Sequence, residues 1–366
     1  MHFPATCLRV VAMGFISTLV IAAAGQDTQR QLQLVKQHET PVITVQSAGA
    51  EGIKVGFEGG RVIKLKGQYH LFTSEMLDRP VGVKMKLAHW ASTDRIHWRR
   101  IATLYESSGD YTGQDPRAAL WAPMPVYNDR EGLWNLFYVA YRCAPSTAEK
   151  WLDGHEGKIW RAVSKIDGPE GIGGPYEDIG VILQPGGESQ PWEGLQGTDS
   201  FFPYKVDRHW YGFYGSADTQ KIPVKAWKVG LAWAPQLAGP WKRLPEGNPV
   251  MIEKTFIENP VVTELSDGTF VAVYDNPVPN TIGYSFSRDG IHWEPGRKLV
   301  VQPKGKGHWA HDIRTPLGLI HESGDTFTLF YTGLNHVGAY PYKVNDYGVG
   351  FVSVKLAQSQ PGKSHP

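Results

Sequence analysis

The 366-residue chain has two cysteines, Cys7 and Cys143. Cys7 lies in a segment that reads as a removable leader, so no intrachain disulfide is available and stability must come from the core. About 340 residues are ample for that. An excess of charge of one sign is also lacking. Lys and Arg number 37 and Asp and Glu 36, a formal net charge of +1, which points to neither nucleic acid nor an anionic membrane surface as a partner. The apolar run from Val10 to Ala24 is too short and too near the terminus for a membrane span. No long 3.6-residue periodicity appears, so helix content should be low.

The same apolar run, with Arg9 before it and Ala22-Ala23-Ala24-Gly25 at its end, fits a secretory signal over residues 1–25. Export to the periplasm or the medium follows, with no membrane span in the mature chain; a retained N-terminal anchor is the alternative. Residues 26–40 are polar and read as a mobile lead-in, 41–358 as one domain, and 359–366 as a flexible tail.

Thirteen tryptophans and sixteen tyrosines stand out in what remains. Five aromatic segments recur: Tyr69–Phe72, Trp134–Tyr138, Trp210–Tyr214, Phe270–Tyr274 and Phe327–Tyr331. Their starts lie 65, 76, 60 and 57 residues apart. That spacing fits one four-stranded sheet plus loops, the repeat of a β-propeller blade, and predicts an all-β, five-bladed propeller. The near-copies Ser92-Thr-Asp-Arg-Ile-His-Trp98 and Ser287-Arg-Asp-Gly-Ile-His-Trp293 read as turns between outer strands, each Trp packing back onto its sheet. Gly239-Pro-Trp241 is a related ending. Tyr347–Val354 should be an outer strand of the last blade, with Val42–Val45 closing the ring.

Upstream of the aromatic segments lie carboxylates. Glu58 is eleven residues before Tyr69, Asp199 eleven before Trp210, Glu258 twelve before Phe270 and Asp312 fifteen before Phe327. The second unit has Met124 near this place, and its acid, Asp115, lies farther back. Equivalent positions in successive blades converge on one axis. Burial and mutual repulsion there raise at least one pKa, leaving a neutral acid beside an ionised base, which is what glycosidic bond cleavage requires. The bland alternative is carboxylates that merely pair with Arg61, Arg117 and Arg314.

Leu120-Trp-Ala-Pro123 with Trp134–Tyr138, Thr198-Asp199-Ser-Phe-Phe202 with Trp210-Tyr211, and Glu258-Asn-Pro260 resemble the second, third and fourth blades of glycoside hydrolase family 43 and its relatives. The likeness covers roughly residues 50–355. It implies a glycosidase, exo-acting and inverting, on oligo- or polysaccharides. Glu258 would be the general acid, Asp199 the carboxylate that orients it, and Glu58 the base, with Glu75 in reserve. The family usually presents Asp at the first of these positions, and commonly Asp where Met124 stands here. The tryptophan-rich Asn-Asp-Pro signature of fructan-cleaving relatives is missing.

Asp115, Arg117, Trp121, Trp192, Gln196, His311 and Arg314 are the substrate-binding candidates. For Trp192, packing beneath its own loop is an equal alternative. No cofactor is required, and no ligand spacing demands a metal, although the resemblance implies an axial site near His311 where calcium, another ion or water is held. Three rival readings stay open: a carbohydrate-binding propeller without catalysis, a phosphorylase with a basic cluster beside Asp199 or Glu258, and a structural propeller.

Overall fold

The computed structural model describes residues 30–147, 150–217, 227–301, 309–335 and 346–358. The expected signal segment and tail lie outside the described residues. The chain divides into two compact units. Residues 1–31 with 358–366 form one, of which only 30, 31 and 358 are described; Leu32–Ala357 form the other, whose architecture follows.

Strands are numbered in chain order. Three sheets have four antiparallel strands each. They are β6 (Ala119–Asn128), β7 (Leu133–Thr147), β8 (Lys150–Ser164) and β9 (Tyr176–Leu183); β10 (Asp199–Val206), β11 (His209–Ala217), β12 (Trp227–Ala234) and β13 (Lys242–Arg243); and β14 (Glu258–Glu264), β15 (Phe270–Asp275), β16 (Thr281–Ser287) and β17 (Arg297–Val300). A fourth sheet has eight strands. It joins β2 (Gly56–Leu65), β3 (Gln68–Met76), β4 (Met85–Ser92) and β5 (Arg99–Glu106) to β18 (Asp312–Ser323), β19 (Thr326–Leu334), β20 (Tyr347–Gln358) and β1 (Arg30–Gln37). The join is one parallel pair, Gly56 with Tyr347. The fold is all-β, with one short 3-10 turn at Pro169–Gly173 among the described residues.

The five aromatic segments are the second strands β3, β7, β11, β15 and β19. Each runs between two partners in its sheet and is covered on both faces, so it reads as a continuous apolar run: Leu136 to Ala140 are all buried. The first strands β2, β6, β10, β14 and β18 lie side by side, each against the next and β18 against β2, in a closed ring.

The aspartate turns follow β4 and β16. Asp94 accepts from the amides of Ile96 and His97 at 2.9 and 2.8 Å, and Asp289 from those of Ile291 and His292 at the same distances. The tryptophans that follow reach outward. Trp98 packs edge-on against Phe330 of β19 at 6.0 Å and Trp241 edge-on against Phe137 of β7 at 6.5 Å, while Trp293 lies tilted against Phe213 of β11 at 5.4 Å. Each therefore touches the second strand of the preceding four-strand group. Trp241 also packs back onto its own sheet, 4.9 Å from Phe201 of β10, as expected, whereas Trp98 and Trp293 fill the space between sheets, where a large apolar ring is covered.

Two further expectations change. Val42–Val45 is not a strand. Pro41 has no N–H and the Thr44 amide turns to the Ser47 hydroxyl, leaving one bridge, Ile43 with Val349. The expected lead-in instead contains β1, which pairs with β20. Its Gln-Leu-Gln-Leu alternation buries Leu32 and suits an edge strand with one face outward.

Candidate active site

Every first strand carries a bulge near its start. The register slips after Glu58, Trp121, Asp199, Glu258 and Ile313. The residues that follow the first four have left-handed backbones: Gly59 at φ 67°, Ala122 at 52°, Ser200 at 51° and Asn259 at 51°. A bulge re-aims the neighbouring side chain. In β2 the bulge needs Gly60, where a Cβ would lie 2.0 Å from the Phe72 carbonyl oxygen. This register makes Trp121, rather than Met124, the second-group counterpart of the acids. In the fifth group the counterpart is Ile313, one residue past Asp312, whose carboxylate instead accepts from the Ile313 and Asn280 amides at 2.9 and 3.1 Å.

Hydrogen bonds around these bulges connect all five groups. Ala122 N–H donates to Ser74 Oγ at 2.9 Å, and Gln196 Nε2 donates to both Tyr141 Oη at 3.1 Å and Asp199 Oδ2 at 3.2 Å. Ser200 Oγ donates to Asn259 Oδ1 at 2.8 Å, Asn259 Nδ2 to Thr315 Oγ1 at 3.4 Å, and Thr315 Oγ1 to Glu58 Oε1 at 3.2 Å. Left-handed Ser200 and Asn259 cost about 1–3 kcal/mol each, and this circuit is what holds them.

Arg314 lies among the acids. Its Nε donates to Glu58 Oε1, its Nη2 donates to Glu258 Oε2 at 3.1 Å, and its Nε stands 3.7 Å from Asp275 Oδ2. Asp275 ends β15 directly opposite Glu258 in register. Glu58, Asp199, Glu258 and Asp275 are all buried. Burial drives the Glu258 pKa well above the ordinary carboxyl range; Arg314 opposes this, while Asp275, Asp199 and Glu58 reinforce it. Burial likewise pushes Asp275 up to about 7, against Arg314 and with Glu58 and Asp312. Asp199 is raised by burial, countered by Tyr141, the Ser200 amide and Gln196. The result is one cation shared by three carboxyl groups, with burial raising the pKa of Glu258 and Asp275.

The structure thus brings together Glu58, Asp199, Glu258, Gln196 and Arg314, with Trp121 at an equivalent register position. Other candidates lie elsewhere. Glu75 is fully buried, paired with Arg100 at 2.8 Å and bonded by Trp90 Nε1 at 2.9 Å. Asp115 caps the Arg117 amide at 2.8 Å, and Arg117 binds Asp178 at 2.8 Å and lies 4.7 Å from the Trp160 ring centre. Trp192 bonds Gln190 at 2.9 Å and packs on Tyr214 at 5.4 Å, beneath its loop. His311 is exposed just before β18, its amide donating to the Leu334 carbonyl at 2.6 Å. Of the three arginines expected to balance acids, Arg314 alone binds this cluster.

Asp275, Tyr141, Asn259 and Thr315 join the site without having been marked by the sequence pattern. A signal for Asp275 existed: the residue after the aromatic run is Val139, Gly215 or Asp275 in groups two to four, and each pairs with the first-strand site position. Among the described residues, no group of three or more His, Cys, Asp or Glu is arranged to hold a metal ion. No helix among them is long and apolar enough to cross a membrane.

No family model matches the sequence, and no curated protein matches it. Solved structures do. A family 117 glycoside hydrolase from the marine bacterium Zobellia galactanivorans superposes with a TM-score of 0.62 at 14% identity, over 90% of this chain and 92% of that one. A thermostable family-43 glycoside hydrolase gives 0.54 at 17%, over 86% and 98%, and an α-L-arabinofuranosidase from Lactobacillus brevis gives 0.55 at 15%, over 82% and 91%. The fold is that of the β-propeller glycoside hydrolases of families 43 and 117.

Proposed function

We propose that the five four-strand groups are the blades of a five-bladed propeller and that the chain is an exported glycosidase acting on plant or microbial glycans. The observation that carries this reading is the axial pairing of Glu258, whose pKa burial raises, with Glu58 on the same guanidinium. Glu258 protonates the departing glycosidic oxygen. Glu58 is the base: Arg314 and Thr315 both bind its Oε1, leaving Oε2 to take a proton from the attacking water. Asp199, held by Gln196 and its own bulge, stands near Glu258 and adds to the rise of its pKa. Inversion and removal of single terminal sugars complete the proposal. A phosphorylase needs free basic groups beside the acids, whereas Arg314 is engaged with three carboxyl groups and Arg117 with Asp178.

The test is release from aryl arabinosides, xylosides, galactosides and uronides, with and without phosphate, following the anomer of the product by NMR. Turnover without phosphate that gives the inverted anomer is the expected result. Strict phosphate dependence, or sugar binding without turnover on any substrate, would overturn it.

A further inference from the structure

A second site lies farther along the same first strands. Arg61 follows Glu58 by three residues, about 10 Å on along β2. Its guanidinium turns away from the acids, donating from Nη1 to the Pro125 carbonyl at 3.1 Å and lying over the Phe202 ring, 4.6 Å from its centre. No carboxylate of the described residues lies within ion-pair distance of it. The guanidinium forms part of the wall of a cavity of about 220 Å³, below the size range of drug-binding pockets and suited to one sugar ring. The half-buried Trp210 supplies an aromatic edge to it, with Phe202, Tyr204 and Phe270 buried behind, while the exposed Lys205 and Glu264 also line it and offset each other's charge.

The arginine is costly as it stands. Burial lowers its pKa to about 10, and no acid compensates. A guanidinium has five N–H donors, and the fork that matches a carboxylate is not used by Pro125. The partly exposed Trp210 ring beside it suits the apolar face of a pyranose ring.

We propose that this cavity is a binding site, separate from the acid cluster, for a carboxylate-bearing monosaccharide unit such as a uronate, with Arg61 as its anchor. The ligand carboxylate takes the edge of the guanidinium that Pro125 does not use, and its ring lies against Trp210. The site holds acidic glycan without cleaving it, because no proton donor of the axial cluster reaches it.

The experiment is calorimetric titration of the full chain with galacturonate, galactose and acetate, none of which carries a glycosidic bond to be cleaved. Galacturonate is expected to bind, galactose far more weakly, and acetate to compete. Arg61→Met should weaken galacturonate binding about tenfold or more, the loss of one charge-assisted pair, while leaving hydrolysis by the otherwise wild-type enzyme unchanged. If Arg61→Met does not fold, Arg61→Lys keeps the charge and loses the fork, and several-fold weakening is expected. Equal binding of galactose and galacturonate, no binding of either, or undiminished binding in the folded Arg61 variant would each overturn the proposal. Hydrolysis is read separately, so failure here leaves the glycosidase reading intact.

Discussion

Asp275 and Asp289 belong to the same four-strand group yet hold their protons in opposite ways. Asp275 ends β15 at the axis, where burial lifts its pKa to about 7. Asp289 sits in the outer turn after β16. Partial burial there pushes its pKa up, but the His292 ring and the amides of His292 and Ile291 together outweigh it and hold the carboxyl well below the ordinary range. Asp94, its counterpart after β4, is lowered chiefly by His97 and the backbone amides. The residue type is the same; what differs is the supply of donors against the loss of water. The axial ends of β2, β14 and β15 gather Glu58, Glu258 and Asp275 around one guanidinium, whereas each of the two aspartate turns supplies several donors to one carboxylate.

The sharpest way to break this contrast is Glu258→Gln. It removes the retained proton and should lower kcat about 10²–10⁴-fold with little change in KM; steady-state kinetics on the released sugar would check it. Arg314→Met should come next. Without their cation the buried carboxyl groups should cost about 3–5 kcal/mol in urea unfolding at neutral pH, and the deficit should shrink at acid pH as they become protonated.

Asp275→Asn tests the sign. A carboxyl group whose pKa is raised by folding stabilises the fold below its unfolded pKa and loses that contribution as pH rises. Wild-type unfolding free energy should therefore fall between about pH 4 and 7, by up to about 1.4 kcal/mol per pH unit for each such proton. The asparagine variant should flatten that slope and move the basic-side kinetic limb downward, because Glu258 loses a repelling neighbour. Smallest of all is Asp289→Ala. It should cost about 1 kcal/mol, an effect fully present above the unfolded carboxyl pKa of about 3.9 and lost progressively as pH falls from there through the lower folded pKa. Melting curves at pH 3 and 7 would show the difference.

Much of the fold was legible because second strands are covered on both faces and so write unbroken aromatic runs such as Trp134–Tyr138 into the sequence. Three acids were legible because each begins a first strand at a nearly constant distance from that run. Arg314 was legible as a cation but not as the hub of the cluster. Asp312 looked equivalent to the acids, and only the bulge, which depends on backbone register rather than on residue type, moves the position to Ile313 and puts Arg314 beyond it. Asp275 escaped notice because it closes an apolar strand, and pairing with Glu258 is a fact of register between strands. Arg117 and Glu75 misled for the converse reason. Charged side chains in aromatic surroundings suggest a site, yet each meets its partner, Asp178 or Arg100, between strands away from the axis.

The pairing of β1 with β20 has a consequence for how the molecule is made. β1 ends at Gln37 and β20 begins at Tyr347, about 300 residues later. At the usual pace of synthesis, β1 leaves the ribosome on the order of 15–60 s before its partner exists. During that interval it is a strand with two open edges, while the three central sheets can form from strands already translated. Ring closure at this edge thus waits for β20, and until then β1 is open to mispairing and to chaperones.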